Sequence, residues 1–312
     1  MNTALDDFWT TVTALRELSD VLGDVPTGTQ GSRSVNHIRL NGLHVVAFAA
    51  LEDFVRRRAH EVVSWLGTEG VRLASFPHRL QVLILQGTIE GINFSLSRTD
   101  KEDRITLLQL QGLLLSSSGE NDQIFHPSEY FFGRGSSNIS KDNVRELLEA
   151  FGLGEKLNCL NEVIGLLNMP LLGAIDGVFT RLATNRHRAA HSFGVDYKLS
   201  DFRSDMGSAL PLFAFAFDTA ISQCAQAMRK TIISEKAVFE KYSVTASVVR
   251  IVEFDPSQAC WNEYRGGKNI KKLKKGELRA RLDAFANRTM GKGETIVVKN
   301  EKGLINRWMQ PI

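Results

Sequence analysis

Cysteine is scarce in this 312-residue chain: Cys159, Cys224 and Cys260 stand far apart, odd in number and without a CxxC pair. That pattern excludes a disulfide framework and a thiolate zinc site, and it is the usage of a reducing compartment. Long hydrophobic runs are missing as well. The longest apolar stretch, Leu43 to Leu51, has about half the length that a membrane-spanning helix needs. The N-terminus carries Asp6, Asp7, Phe8 and Trp9 rather than the basic and then apolar segments of a secretory signal. There is no internal repeat, no HExxH element and no G-x4-GK[ST] phosphate loop; "YRGGKN" and "MGKGET" carry glycines and lysines without that spacing and read as turns. A soluble cytoplasmic protein is expected, with no membrane attachment, metal or cofactor.

What is present is ordinary in bulk and uneven in detail. Hydrophobic residues make up 43% and charged residues 23%, as in globular proteins generally. From Ser243 to Ile312 there are 14 Lys+Arg against 7 Asp+Glu, a net of +7, while the remaining 24 basic and 28 acidic residues leave the first 242 positions at −4. A mildly acidic body therefore carries a basic tail, which points to an anionic partner or to a solvated basic face.

The hydrophobic period divides the chain at the same place. In "DFWTTVTALRELSDVL" the residues Phe8, Val12, Leu15, Leu18 and Leu22 recur at helical spacing. Further helices are expected over Val35 to Leu66, Leu80 to Leu96, the short apolar Leu107 to Leu115, and Leu157 to Leu167, the last closed by Pro170. "SNISKDNVRELLEAFGLG" has the marks of a capped helix, with Ser140 as N-cap and Gly152 or Gly154 as the stop. "PLFAFAFDTAISQCAQAMRK" is apolar nearly all round, as a buried helix is. After residue 242 the period becomes two. "SVVRIVEF" and "TIVVKN" read as strands, "NEKG" and "LINRWMQP" as a turn and return strand, and "KGELRARLDAF" as a short helix between them. The expected organisation is an all-α domain over 1–240 and a small basic α+β domain over 243–312.

The chemistry gathers in "NRHRAAHSFG", residues 185–194. The apolar stripe Ile175, Val178, Phe179, Leu182 has Arg186 as its next member and resumes at Ala189, Ala190 and Phe193. A continuous helix would therefore aim a guanidinium at the core side, where it must find an anion or a wet groove. His187 and His191 share a face; His191 lies about 140° round from Arg186 on an ideal helix. Either the helix starts or kinks inside the motif, or a second chain completes the pair. Three chemistries fit. Arg186 is a structural ion-pair partner; or His187 and His191 hold a metal, though no third ligand is placed nearby; or the group performs acid–base work on a phosphodiester. In the last, an imidazole moves the proton of a ribose 2′-hydroxyl and an arginine neutralises the phosphorane.

Arg186, then His187 as the polar residue after it, then His191 resemble the R-x4–6-H motif of HEPN ribonucleases, and "RHRAAHSFG" is similar to the "RNxxAHG"-like form of the RiboL-PSP-type branch. "LNGLHVVAFAALEDFVRRRAHEVV" is similar to an early family helix whose glutamate falls on Glu52, and "SSNISKDNVRELLEAFGL" to the loop and helix before the motif. The resemblance covers roughly residues 35–235. It implies a mainly α, HEPN-like antiparallel helical bundle that pairs with its twin and cuts RNA without metal, leaving a 2′,3′-cyclic phosphate and a 5′-hydroxyl. It also implies the role of a toxin or antiviral-defence effector, with an antitoxin or defence-system protein as partner. Departures exist: His187 stands where Asn is usual, Ser192 and Phe193 precede Gly194, and Phe193 replaces the tyrosine of the nucleotidyltransferase-paired branch.

Two further sets of residues are singled out. Glu52 shares a face with Phe48, Ala49 and Val55; it either orients a motif side chain in the cleft or makes an i,i+4 pair with Arg56. Arg181 and His187 also satisfy an R-x5-H spacing, but Leu182 follows that arginine and the register is set aside. Lys268, Lys271, Lys272, Lys274 and Lys275 form the densest basic run, with Trp261, Tyr264 and Phe285 at a distance. These lysines are expected to meet RNA phosphates, or else to form a solvated or protein-binding face. A non-catalytic helical scaffold that binds nucleic acid or a protein is the competing reading of the whole.

Overall fold

The structure, a computed structural model, describes residues 3–22, 30–68, 71–117, 125–133, 138–154, 157–167, 175–191, 198–235, 239, 242, 249–288 and 294–310. Its first helix, α1 (Ala4–Val21), starts where the Thr3 hydroxyl accepts the Asp6 amide, with Asp6 and Asp7 at the positive helix end. Phe8, Val12 and Leu15 are buried, but Leu18 is 54% exposed and Ser19 takes the inner position. α2 (Gln30–Leu66) begins earlier than expected, and its 37 residues extend about 55 Å at 1.5 Å per residue. It is the spine against which α1 and the later helices over Ile175–His191 and Leu210–Lys230 pack.

Around the spine stand α3 (His78–Leu96), α4 (Arg104–Ser116), α5 (Lys141–Ala150), α6 (Asn158–Gly165), α7 (Ile175–His191), α8 (Leu199–Ser204) and α9 (Leu210–Lys230). α5 is capped as its sequence predicts. The Ser140 hydroxyl accepts the Asn143 amide while Asn143 reaches back to the Ser140 amide, and left-handed Gly152 (φ 79°) and Gly154 (φ 86°) follow its last turn. α4 differs from its apolar composition: Leu108, Leu110 and Leu113 face solvent, and Gln111 is its buried residue, accepting from the Ser128 hydroxyl at 2.6 Å. α9 is buried on nearly every side. Pro211 in its first turn has no amide for the helical ladder, and the turn before it, Asp205–Ala209, widens to π geometry. Pro170, Phe193 and the segment "MGKGET" up to Gly293 lie outside the described residues.

The tail forms one five-stranded sheet: β1 (Val249–Asp255), β2 (Cys260–Arg265), β3 (Lys268–Lys274), then α10 (Leu278–Arg288), β4 (Thr295–Lys299) and β5 (Ile305–Met309). The strand order is β3-β2-β1-β4-β5. β1 and β4 run parallel and the other neighbours antiparallel. One face puts Val249, Ile251, Val297 and Trp308 into the helical core; the other packs Val252, Ile296 and Val298 against Phe285 of α10. The two parts thus share a core across the period switch near residue 240.

The charged centre of that shared core is Asp218. Its carboxylate is fully buried and accepts from Arg58 Nε of α2 at 2.6 Å, Ser222 Oγ at 2.9 Å and Trp308 Nε1 of β5 at 2.7 Å. Helix spine, buried helix and sheet meet on one group. All three cysteines are buried and unpaired. No helix among the described residues is long and apolar enough to cross a membrane.

Candidate active site

α7 is an unbroken α-helix through the motif, from Ile175 to His191. A start or kink inside the motif is thereby removed as an explanation of how Arg186 and His191 cooperate. The inner stripe is buried as expected at Ile175, Val178, Phe179 and Leu182. Arg186 continues it half-buried, whereas Ala190 is exposed, so the stripe does not resume in full after the arginine. The helix is leaving the core at this point, and the arginine sits where core gives way to surface.

Arg186 is held by a neutral group. Its Nη2 donates to Asn138 Oδ1 at 2.9 Å. Asn138 lies just before the Ser140 cap of α5, and its neighbour Ile139 is tied to α2: the Ile139 amide donates to Glu52 Oε1 at 2.5 Å. Glu52 is 6% exposed. Burial raises its pKa, with the Ile139 hydrogen bond, Arg56 and Arg186 pulling the other way. Among the described residues Arg186 has no carboxylate at ion-pair distance; Glu52 acts on it only through space. Glu52 is a buried anchor that reaches the motif indirectly: it fixes residue 139, beside Asn138, which holds Arg186. Arg56, four residues on, acts on Glu52 through space while its Nε donates to the Gly133 carbonyl at 2.9 Å. Asn138 was missed in the sequence because an asparagine in a loop carries no signal of what it faces.

Glu52→Gln keeps an acceptor for the Ile139 amide and removes a charge that burial disfavours. A carboxyl whose folded pKa lies above its unfolded value makes the protein less stable as pH rises through that interval. Glu52→Gln is therefore expected to raise the melting temperature relative to wild type at pH 8, with the gap closing toward pH 4. A larger gap at pH 4 than at pH 8 would contradict the assignment.

His187 and His191 lie on the outer side of α7, both exposed, with ring centroids 4.7 Å apart. Among the described residues no third His, Cys, Asp or Glu joins them in a metal-binding group. The discarded register is also explained: Arg181 donates to the buried Asp205 carboxylate at 2.6 Å and is a structural cation. Beside the motif, Ala189 and Ala190 of α7 and Ile38, Asn41, Gly42, Val45 and Val46 of α2 line a groove of about 320 Å³. Ile38 is 60% and Val46 47% exposed. The buried Asn41 Oδ1 has no hydrogen-bond partner among the described residues.

The chain matches no protein-family model, no curated protein and no solved structure.

The basic run falls on the sheet. Lys268, Lys271, Lys272 and Lys274 lie on edge strand β3, a strand missed in the sequence because lysine disfavours strands in isolation; Lys275 follows it. "YRGGKN" is the β2–β3 hairpin turn, with Gly266 (φ 55°) and Gly267 (φ 76°) both left-handed. Lys271 pairs with Glu263 and shares its face, while Lys272 and Lys274 point to the other, so the run is no single stripe. A lysine-rich edge also keeps sheets from pairing edge to edge. Elsewhere in the tail the cations are neutralised internally: Arg250 and Arg281 by Glu263, Arg265 by Glu294, Lys299 by Glu253. The densest outward positive charge of the tail lies on and just after β3, with Arg279, Lys302 and Arg307 exposed elsewhere. Replacing Lys271, Lys272, Lys274 and Lys275 by Ala is expected to flatten the log–log salt dependence of single-stranded RNA binding by up to about 3, at roughly 0.7 per lost phosphate contact. An unchanged slope in a filter-binding titration would assign these lysines to edge protection alone.

Proposed function

We propose that this protein is a metal-independent endoribonuclease of the HEPN type, acting as a homodimer in which the motif helices of two copies face one another. The observation that carries it is the state of Arg186: a permanent cation, half-buried, held by an amide rather than a carboxylate, on the helix that bears two adjacent imidazoles. Arg58 and Arg181, by contrast, end on the carboxylates of Asp218 and Asp205. A cation held by a neutral group keeps its charge available for an anion that arrives later.

In the proposed reaction one imidazole takes the proton of a ribose 2′-hydroxyl, whose oxygen then attacks the adjacent phosphorus. The P–O5′ bond breaks, a protonated imidazole gives its proton to the departing 5′-oxygen, and Arg186 neutralises the phosphorane between the two steps. His191 and His187 share the two proton transfers, in an order the motif leaves open. Arg186 and His191 diverge by about 140° around one unbroken helix, which favours a site composed across a two-fold seam. The groove of Ile38, Gly42, Val46 and the two alanines next to His191 supplies an apolar surface for that seam. The family resemblance extends the reading to a toxin or antiviral-defence effector neutralised or triggered by a partner protein.

A scaffold role is the second reading. It is favoured by the absence, among the described residues, of any hydrogen bond orienting His187 or His191. The deciding experiment incubates purified protein with cellular RNA in EDTA and analyses the ends of the products. Fragments with 2′,3′-cyclic phosphate and 5′-hydroxyl termini are expected; intact RNA at every protein concentration from monomer to dimer would leave the scaffold.

A further inference from the structure

A second crevice lies away from α7, where the sheet meets the helices. It encloses about 480 Å³ and is lined by Arg16, Phe254, Trp261, Lys275, Asn300, Glu301 and Lys302 among others, a volume in the range of small-ligand sites. Its place in the topology is informative. β1 and β4 are adjacent and parallel, and their outgoing connections diverge, β1 turning to β2 on one side and β4 to β5 on the other. The carboxyl ends of two such strands bound an opening that no connection crosses, the position where open sheets with parallel strands hold ligands. Phe254 near the end of β1 and Asn300 after β4 are on its wall.

The lining has two kinds of chemistry. The first is a set of cations converging from different elements. Arg16 of α1 is half-buried; its Nε and Nη2 donate to the Met206 carbonyl of the π turn at 3.0 and 2.8 Å, and its guanidinium lies over the Trp9 ring at 5.6 Å. Among the described residues it has no carboxylate partner, and burial lowers its pKa. Lys275 and Lys302 are exposed at the mouth. The second is an aromatic wall, where Trp261 and Phe254 meet edge to face with centroids 5.1 Å apart. Asn300 shapes the turn that carries Lys302, its Oδ1 accepting the Lys302 and Leu304 amides at 2.9 and 3.0 Å, and Glu301 on that turn offers an acceptor for ribose hydroxyls.

We propose that this crevice binds a nucleoside phosphate, its base against the Trp261–Phe254 wall and its phosphate between Arg16, Lys275 and Lys302. A bare polyanion would leave the aromatic wall unused, and an apolar ligand would leave three cations unanswered. The same chemistry comes from two sources, a free nucleotide or one nucleotide of a single strand. The site is independent of the ribonuclease reading, and its test needs no cleavage.

The full-length protein is titrated with AMP and, separately, with a ten-residue thymidine oligodeoxynucleotide, which lacks the 2′-hydroxyl that transesterification requires. Binding is read by tryptophan fluorescence and checked by equilibrium dialysis. Saturable binding is expected for at least one probe, weakened about tenfold or more by Trp261→Ala and by Lys302→Glu, and unchanged by Lys101→Glu, an exposed cation outside the crevice. Lys302 is exposed on a turn, so its variant keeps the test valid if Trp261→Ala does not fold. AMP binding without the oligonucleotide identifies a free nucleotide; oligonucleotide binding that AMP displaces weakly identifies a strand; both support the site. No saturable binding of either probe, or binding that Lys302→Glu leaves unaltered, overturns it.

Discussion

Arg186→Ala and His191→Ala are each expected to lower RNA cleavage by about 10²–10⁴-fold, the range for a lost charge-stabilising group or a lost general acid–base. The folded state should hardly notice. Among the described residues Arg186 makes a single hydrogen bond, to Asn138, and His191 is exposed on the last turn of α7, so removing either is expected to forfeit about 1–2 kcal/mol. Arg186→Lys should recover little, because the planar fork that spans phosphate oxygens is gone while the charge stays. Asn138→Ala acts through the arginine, and its expected signature is a loss in kcat that Asn138→Gln partly restores.

The same two variants test where the site is assembled. Mixed in equal amounts and allowed to exchange subunits, inactive Arg186→Ala and inactive His191→Ala should regain about a quarter of wild-type activity if each site takes its arginine from one copy and its histidine from the other. Half of the dimers would then be mixed, and each would hold one intact site. If arginine and histidine act from the same chain, mixing restores nothing. A His191→Ala protein that cuts RNA as fast as wild type would remove the His191 imidazole from the mechanism.

Asp218→Ala is the stability counterpart, with an expected loss of about 3–5 kcal/mol in urea unfolding. Its removal takes from the buried Arg58 guanidinium, which also meets Ser222 and Glu61, its shortest ion pair and deprives Trp308 Nε1 of its acceptor. A network tied at one carboxylate from α2, α9 and β5 fails as a whole, so helices and sheet should unfold in one transition. The half-exposed pair between Arg57 and Asp7, at 2.5 Å, makes the contrast: solvent screens it, and Asp7→Ala should cost about 0.2–1 kcal/mol. A loss below 1 kcal/mol for Asp218→Ala, or two separate transitions in wild type, would show that the shared core is weaker than its geometry implies.

Which features were legible in advance follows from how local their causes are. The Ser140 cap, the glycine stop after α5, the all-round burial of α9 and the helix-to-strand switch near residue 240 are each dictated by residues within a few positions of one another. The same holds for the turn at Asn300 to Gly303. β2 and β3 were not legible, because a lysine-rich segment becomes a strand only when Cys260–Arg265 is laid beside it. The leucines of α4 were equally misleading, since apolar composition says nothing about whether a neighbouring surface exists to cover it.

For the motif, the sequence by itself determined that a guanidinium and two imidazoles lie on one helix and that the arginine falls on the inner stripe, because helical periodicity is a property of spacing alone. Only the tertiary structure decided what the arginine meets. A loop amide from residue 138, placed by a buried carboxylate 86 positions earlier in the chain, took the position that an acid would have filled, and no local rule relates residues so far apart. The same reason accounts for the crevice between Arg16, Trp261 and Lys302: its parts come from an N-terminal helix and two distant hairpins, and they become neighbours only when the sheet closes onto the helical core.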